Sequence, residues 1–162
     1  MARKIEDLVS FLSEHGLCAA LTRKEVEVIL DYTEEVYFDR HQIVMDVGEV
    51  GEALFFVVEG EIVLLYDNGA SETDVGRRRQ GELMGEMSFF DRKPRLTRMR
   101  ATRDRTRLLK LSRAMYERMR VEQPFIAVNL LEYAIISLDH LIREMSKDVA
   151  VLTDYYFAPG KK

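Results

Sequence analysis

Apolar residues recur at helical spacing near the start of the chain, with Ile5, Leu8 and Leu12 on one stripe and Val26, Ile29 and Leu30 on another; the pattern breaks near His15-Gly16. This predicts two short helices. Thr22 followed by Glu25 is a capping-box pair, in which hydroxyl and carboxylate satisfy unpaired amides at a helix start, so the second helix is expected to begin near Thr22. From Val36 to Leu111 short β-branched or aromatic runs alternate with Gly, Asp and Asn, the grammar of an all-β roll or barrel. Strands are predicted near Val36–Phe38, Ile43–Asp46, Ala53–Glu59, Ile62–Asp67, Arg78–Gln80, Arg98–Thr102 and Thr106–Lys110. Asp67-Asn68-Gly69 predicts a tight hairpin, because Asn and Gly accept the positive φ such turns demand, and Gly60-Glu61 predicts another tight turn. Alternation turns Arg98, Arg100, Arg105 and Arg107 outward and Met99, Ala101 and Leu108 inward.

From Ser112 the helical period returns, first in a short helix through Met115 and Met119, then in a long one opened by Pro124, where a missing amide costs nothing. In the long helix Leu131, Ile135, Leu138, Ile142, Met145, Val149 and Leu152 are spaced alternately by four and three residues. Ile135, Ile142 and Val149 fall at a and Leu131, Leu138 and Met145 at d of a heptad, the β-branched-at-a arrangement that favours parallel two-stranded coils. At 1.5 Å per residue the seam is roughly 30 Å long, and it predicts a homodimer. Part of the same helix is expected to pack on the β-roll, since the wider apolar set adds Ala134, Leu141 and Val151.

A length of 162 residues bounds the chain to one domain, read as N-terminal helices over 1–35, a β-roll over 36–111 and C-terminal helices over 112–157. The expected class is mainly β with flanking helices, a double-stranded β-helix or jelly-roll-like roll ending in a long helix. A hydrophobic fraction of 47% and a charged fraction of 32% describe a globular protein, and no apolar run of membrane-spanning length is expected. The charged start, Met1-Ala-Arg-Lys-Ile-Glu-Asp7, is unlike a signal peptide and points to the cytoplasm. Cys18 is the single cysteine, which excludes an internal disulfide and reads as a small buried hydrophobe. His15, His41 and His140 lie far apart in sequence without metal-ligand spacing, so neither a metal site nor an enzyme is expected. A net charge of -4 argues against a chain built around nucleic acid; Arg77-Arg78-Arg79 and the arginines from Arg92 to Arg107 read as a solvated hairpin face without interleaved aromatics.

The informative stretch is Gly81-Glu-Leu-Met-Gly-Glu-Met-Ser-Phe-Phe-Asp-Arg-Lys-Pro-Arg95. Two glycines, a carboxylate, a short helical turn and then Pro-Arg make an anion cradle, since amides at a helix start attract phosphate and an arginine binds it bidentately. A carboxylate beside such a cradle suits hydroxyl groups. Together these features ask for a sugar phosphate.

Here the chain resembles the cyclic nucleotide-binding domains shared by catabolite activator proteins, cyclic nucleotide-dependent kinases and cyclic nucleotide-gated channels. The resemblance rests on Phe38, His41-Gln-Ile-Val44 and Val47-Gly-Glu-Val-Gly-Glu-Ala-Leu-Phe-Phe-Val-Val-Glu-Gly-Glu-Ile62 upstream. Downstream it rests on Gly81 to Ser88, Asp91 to Arg95 and Met99-Arg-Ala101. It implies a β-roll flanked by helices, with cAMP or cGMP as ligand. Glu86 would accept the ribose 2′-hydroxyl, Gly85 and Met87 would offer backbone amides, and Arg95 would pair with the cyclic phosphate, in a site running through Ser88, Leu96 and Thr97.

Two departures stand out. Leu96 occupies a position where the family usually has a small or hydroxylated residue, with Thr97 one place late, and the base-reading positions of the long helix fall near the apolar Leu141 and Ile142. The choice between adenine and guanine therefore stays open. The leading expectation is a non-enzymatic sensor acting through a further, unidentified protein, with no membrane as partner; DNA is not expected either, because catabolite activators continue into a DNA-reading domain and only about a dozen residues follow the heptad seam here. The alternative is a degenerate fold, its pocket lost, serving as a dimeric interaction protein.

Overall fold

The computed structural model describes residues 2–15 and 21–157; Cys18 and the tail positions 158–162 lie outside the described residues. The last helix ends at Phe157, the boundary expected for the C-terminal helices. Thirteen elements follow one another: α1 (Ala2–Glu14), α2 (Arg23–Leu30), β1 (Glu34–Phe38), β2 (Ile43–Met45), β3 (Ala53–Glu59), β4 (Glu61–Asp67), β5 (Glu72–Arg79), β6 (Leu83–Met84), α3 (Glu86–Asp91), β7 (Thr97–Ala101), β8 (Thr106–Ser112), α4 (Arg113–Glu122) and α5 (Pro124–Phe157). The capping box forms as expected: Thr22 N–H donates to Glu25 Oε2 at 2.7 Å and Glu25 N–H to Thr22 Oγ1 at 3.4 Å.

The strands make two four-stranded antiparallel sheets, in the orders β1-β8-β3-β6 and β2-β7-β4-β5. This is the expected β-roll with flanking helices. The core has two parts divided by β3, a strand buried on both faces. Phe55 and Val57 meet Ile62, Leu64, Met99 and Leu108 between the sheets. Leu54, Phe56 and Val58 point the other way, toward Leu8, Leu12, Val26, Met119, Ile126 and Leu130 on the helices. Alternation along one strand thus supplies two cores, each fully buried large side chain contributing roughly 1.5–3 kcal/mol.

Several expectations need correction. β5 begins at Glu72, six residues before the predicted Arg78, because it is an edge strand exposed along most of its length and shows no apolar alternation. The two-residue β6 was hidden in what reads as a loop. The tight turn expected at Gly60-Glu61 forms, with Gly60 at φ +96°, and it carries the chain from one sheet to the other. The β4–β5 connection spans residues 68–71, with Asn68 Oδ1 accepting from the amides of Ala70 and Ser71 at 2.9 Å; only Gly69 carries a positive φ.

Helix α5 is about 51 Å long at 1.5 Å per residue. Ile126, Ala127, Leu130 and Ala134 pack into the helical core, and Leu131 lies half-buried beside it. Contrary to the expectation from the sequence, Pro124–Tyr156 is long and apolar enough to cross a membrane on length and composition, with mean hydropathy 1.6 in its most apolar window. Asn129, Glu132 and Asp139 interrupt the run and masked it.

Candidate functional site

Between β6 and β7 the chain makes the short helix α3 and a return loop. Gly85 caps α3 in the left-handed region at φ +98°, and a β-carbon there would lie 3.1 Å from the Ala53 carbonyl oxygen. Glu86 follows, 5% exposed, and its Oε1 accepts a hydrogen bond from the Ser137 hydroxyl of α5 at 2.7 Å. Ser88 turns away from any ligand: its hydroxyl accepts from the Gly51 amide at 2.7 Å and donates to the Lys93 carbonyl at 2.6 Å. Ser88 therefore ties three segments together and leaves only its main chain for a ligand.

Arg95 is fixed by its backbone, donating to the Glu49 carbonyl and accepting from the Gly48 amide, both at 2.9 Å. Val50 and Pro94 form an isolated bridge beside it. The side chain is 8% exposed, and among the described residues no acceptor holds its guanidinium. Burial pushes the pKa of this group down, while the Glu49 and Glu86 carboxylates oppose the shift. Its Nη2 lies over two glycines, since a β-carbon would approach it to 2.8 Å at Gly51 and 3.5 Å at Gly85. Arg113, at the start of α4, braces this floor by donating to the Phe89 carbonyl at 2.8 Å and to the Gly51 carbonyl, with its guanidinium 4.4 Å from the Phe89 ring centre.

The structure thus brings Gly85, Glu86 and Arg95 around one cradle. Met87 and Leu96 stand at its rim, 61% and 73% exposed, so Leu96 does not fill the cradle. Thr97 enters β7 opposite Tyr66 and is half-buried. An arginine without an acceptor facing a buried carboxylate can bind an anion that also carries a hydroxyl.

Beyond Ser137 lies a cleft of about 190 Å³ lined by Arg78, Glu82, Tyr133, Ile136, Ser137, His140 and Leu141. Leu141, named from the resemblance as near a base-reading position, is among these lining residues. Ile142 is not among the lining residues and is 61% exposed. The hydroxyl that α5 brings to the site belongs to Ser137, one helical turn before Leu141, and the sequence reading missed it. Its signal was available, since Ser137 is the single serine or threonine between Pro124 and Arg143. Tyr133 also supports the site by donating to the Gly81 carbonyl at 2.9 Å.

The outward arginines of the second sheet are engaged in ion pairs. Arg98 binds Asp46 at 2.7 Å and also Glu72, which Arg100 contacts at 2.8 Å, while Arg77 binds Glu61 and Asp74, each at 2.8 Å. In register they stand beside Val63 and Leu65, which are buried on the sheet's outer face. Their aliphatic stems cover that apolar pair and their charges are neutralised locally.

A model of the cyclic nucleotide-binding domain matches residues 35–122. The chain is 32% identical over 117 residues to the cyclic AMP receptor protein of Thermus thermophilus, covering 72% of this chain and 52% of that protein. It is 32% identical over 85 residues to a cAMP-dependent protein kinase regulatory subunit of Mucor circinelloides f. lusitanicus, covering 52% of this chain and 20% of the subunit. The chain thus spans about half of the first relative and a fifth of the second. In three dimensions it resembles the Thermus thermophilus catabolite activator protein, with TM-score 0.70 and 29% identity over 85% of this chain and 63% of that one. A cyclic nucleotide-binding domain from Methylobacillus flagellatus shares the fold, with TM-score 0.72 at 19% identity over 99% of this chain and 86% of that one.

Proposed function

The chain belongs to the cyclic nucleotide-binding domain family, and from that premise we propose that it is a sensor of cAMP or cGMP with a regulatory rather than catalytic role. One observation carries the reading: Arg95 is buried, without an acceptor among the described residues, in the same cradle as the buried Glu86. Keeping a desolvated arginine in that state costs free energy that a bound phosphate returns. Glu86 would take a ribose hydroxyl, the amides around Gly85 and Met87 the phosphate oxygens, and Arg95 the phosphate charge. The exposed position of Leu96 supports this reading over a decayed pocket.

Output would run through α5. A ribose hydroxyl would compete with Ser137 for Glu86 Oε1, so ligand would favour a different seating of the helix, by no more than its difference in affinity for the two seatings. The heptad residues Ile135, Ile142, Met145 and Val149 are each more than half exposed, and Leu138 is half-buried, which supports a homodimer along this seam and a further protein partner downstream. The test is calorimetric titration with cAMP and cGMP, using Glu86→Ala and Arg95→Ala as controls. Saturable binding lost in either variant is expected; no binding of either nucleotide by folded protein overturns the reading.

A further inference from the structure

Resting on that reading, we propose that Arg78 is the residue that selects the base and that the base is guanine. A ribose held at Glu86 lies beside Ser137, and Ser137 also lines the open cleft, so the attached base would enter that cleft. Its polar groups are almost all committed. Tyr133 donates to Gly81, one Glu82 oxygen accepts from the Arg79 amide at 2.5 Å, and His140 lies 3.3 Å from Glu144; Ser137 donates to Glu86 in the free protein, and once a ribose displaces it, its hydroxyl both donates and accepts and so does not tell O6 from a 6-amino group.

Arg78 differs. Alternation along β5 turns it to the opposite face from Arg77 and Arg79, which are tied to Glu61. Among the described residues its guanidinium has no ion pair and makes one hydrogen bond, 3.2 Å to the Arg77 carbonyl. A guanidinium is a planar fork of donors with no acceptor. Guanine presents two adjacent acceptors, O6 and N7, that match this fork, whereas adenine places its 6-amino donor beside N7. Ile136 and Leu141 supply apolar surface for the ring face and cannot tell one purine from the other. The discrimination therefore falls to Arg78.

The test is a competition titration of the whole protein with cGMP, cAMP and cyclic inosine 3′,5′-monophosphate, on the wild type and on Arg78→Gln. A bidentate contact predicts that cGMP binds about 5- to 150-fold more tightly than cAMP. The inosine nucleotide keeps O6 and N7 but lacks the 2-amino group, and is expected to follow cGMP. Glutamine matches the N7 and 6-amino pair of adenine, so Arg78→Gln is expected to turn the preference toward cAMP. Equal affinities in the wild type, an inosine nucleotide as weak as cAMP, or a preference unmoved by Arg78→Gln would each overturn the assignment while leaving the sensor reading intact. Failure of all three nucleotides to bind overturns both.

Discussion

The Ser137 hydroxyl donates to the Glu86 carboxylate across 2.7 Å, joining the middle of α5 to the first residue of α3. Glu86 is nearly sealed from solvent, so removing this donor leaves a buried carboxylate oxygen short of a partner. Ser137→Ala is expected to lower the stability of the free protein by about 1 to 3 kcal/mol. With saturating nucleotide the deficit should shrink, because a ribose hydroxyl replaces the lost donor. Thermal melts with and without ligand check this; an equal deficit in both would show that the ligand leaves that oxygen alone.

Arg95 should behave in the opposite way. Among the described residues its guanidinium has no acceptor to lose, so Arg95→Met is expected to leave the melting temperature of the free protein unchanged or raised. The same change should cost about 2 to 5 kcal/mol in nucleotide affinity, the usual loss on truncating one partner of a buried charge pair. Calorimetry and a melt on one sample separate the two effects.

Gly51 owes its identity to space. A β-carbon there would come within 2.7 Å of the Phe89 nitrogen and 2.8 Å of Arg95 Nη2. Gly51→Ala should therefore push the arginine out of position, weaken both nucleotides together and cost about 1 to 3 kcal/mol of stability by overpacking. Titration and chemical denaturation report the two losses independently.

The ionic cover of the second sheet predicts an acid limb to stability. The Arg100 and Arg98 hydrogen bonds hold Glu72 below its usual carboxylate value, and Arg98 does the same for Asp46. At Glu61 burial pushes the pKa up, but Arg77, Arg79 and Thr102 outweigh it. Carboxylates whose folded pKa lies below the unfolded one stabilise the fold above the unfolded value and lose that effect as pH falls through the folded one. Melting temperature should therefore stay flat down to about pH 5 and fall below about pH 4.5, and Glu72→Gln should make that fall shallower.

The exposed heptad gives a test of association. Ile142→Glu with Met145→Glu places charges in the middle of the seam, away from the helical core. Sedimentation should show a dimer in the wild type and a monomer in the double variant, with the melting of the β-roll retained.

The sequence made the roll legible where a strand is buried on both faces, as an apolar run at β3 and β4, or on one face, as alternation at β7. It failed at β5, where an exposed edge carries almost no apolar pattern, and at β6, too short to have a period. Within the site, Glu86 and Arg95 were readable because their types and spacing carry the chemistry. Ser137 was marked only by its residue type, because its partner lies in a remote segment: it is 51 residues from Glu86, and the packing of α5 alone decides which turn faces it. The role of Ser88 was hidden similarly, since its contact with Gly51 spans 37 residues.

Strand β3 carries a wider consequence. Six consecutive residues, Ala53 to Val58, furnish the filling between the sheets and the seat for the helices, so the strand cannot detach from one partner without exposing the other. The roll and its helical layer should accordingly form one foldon, with the β3 amides exchanging only through global opening. A sensor built this way would couple no ligand signal through partial melting of its barrel; the part left to respond would be the mostly solvent-facing length of α5 beyond Ala134, reseated while the cooperative unit beneath it stays intact.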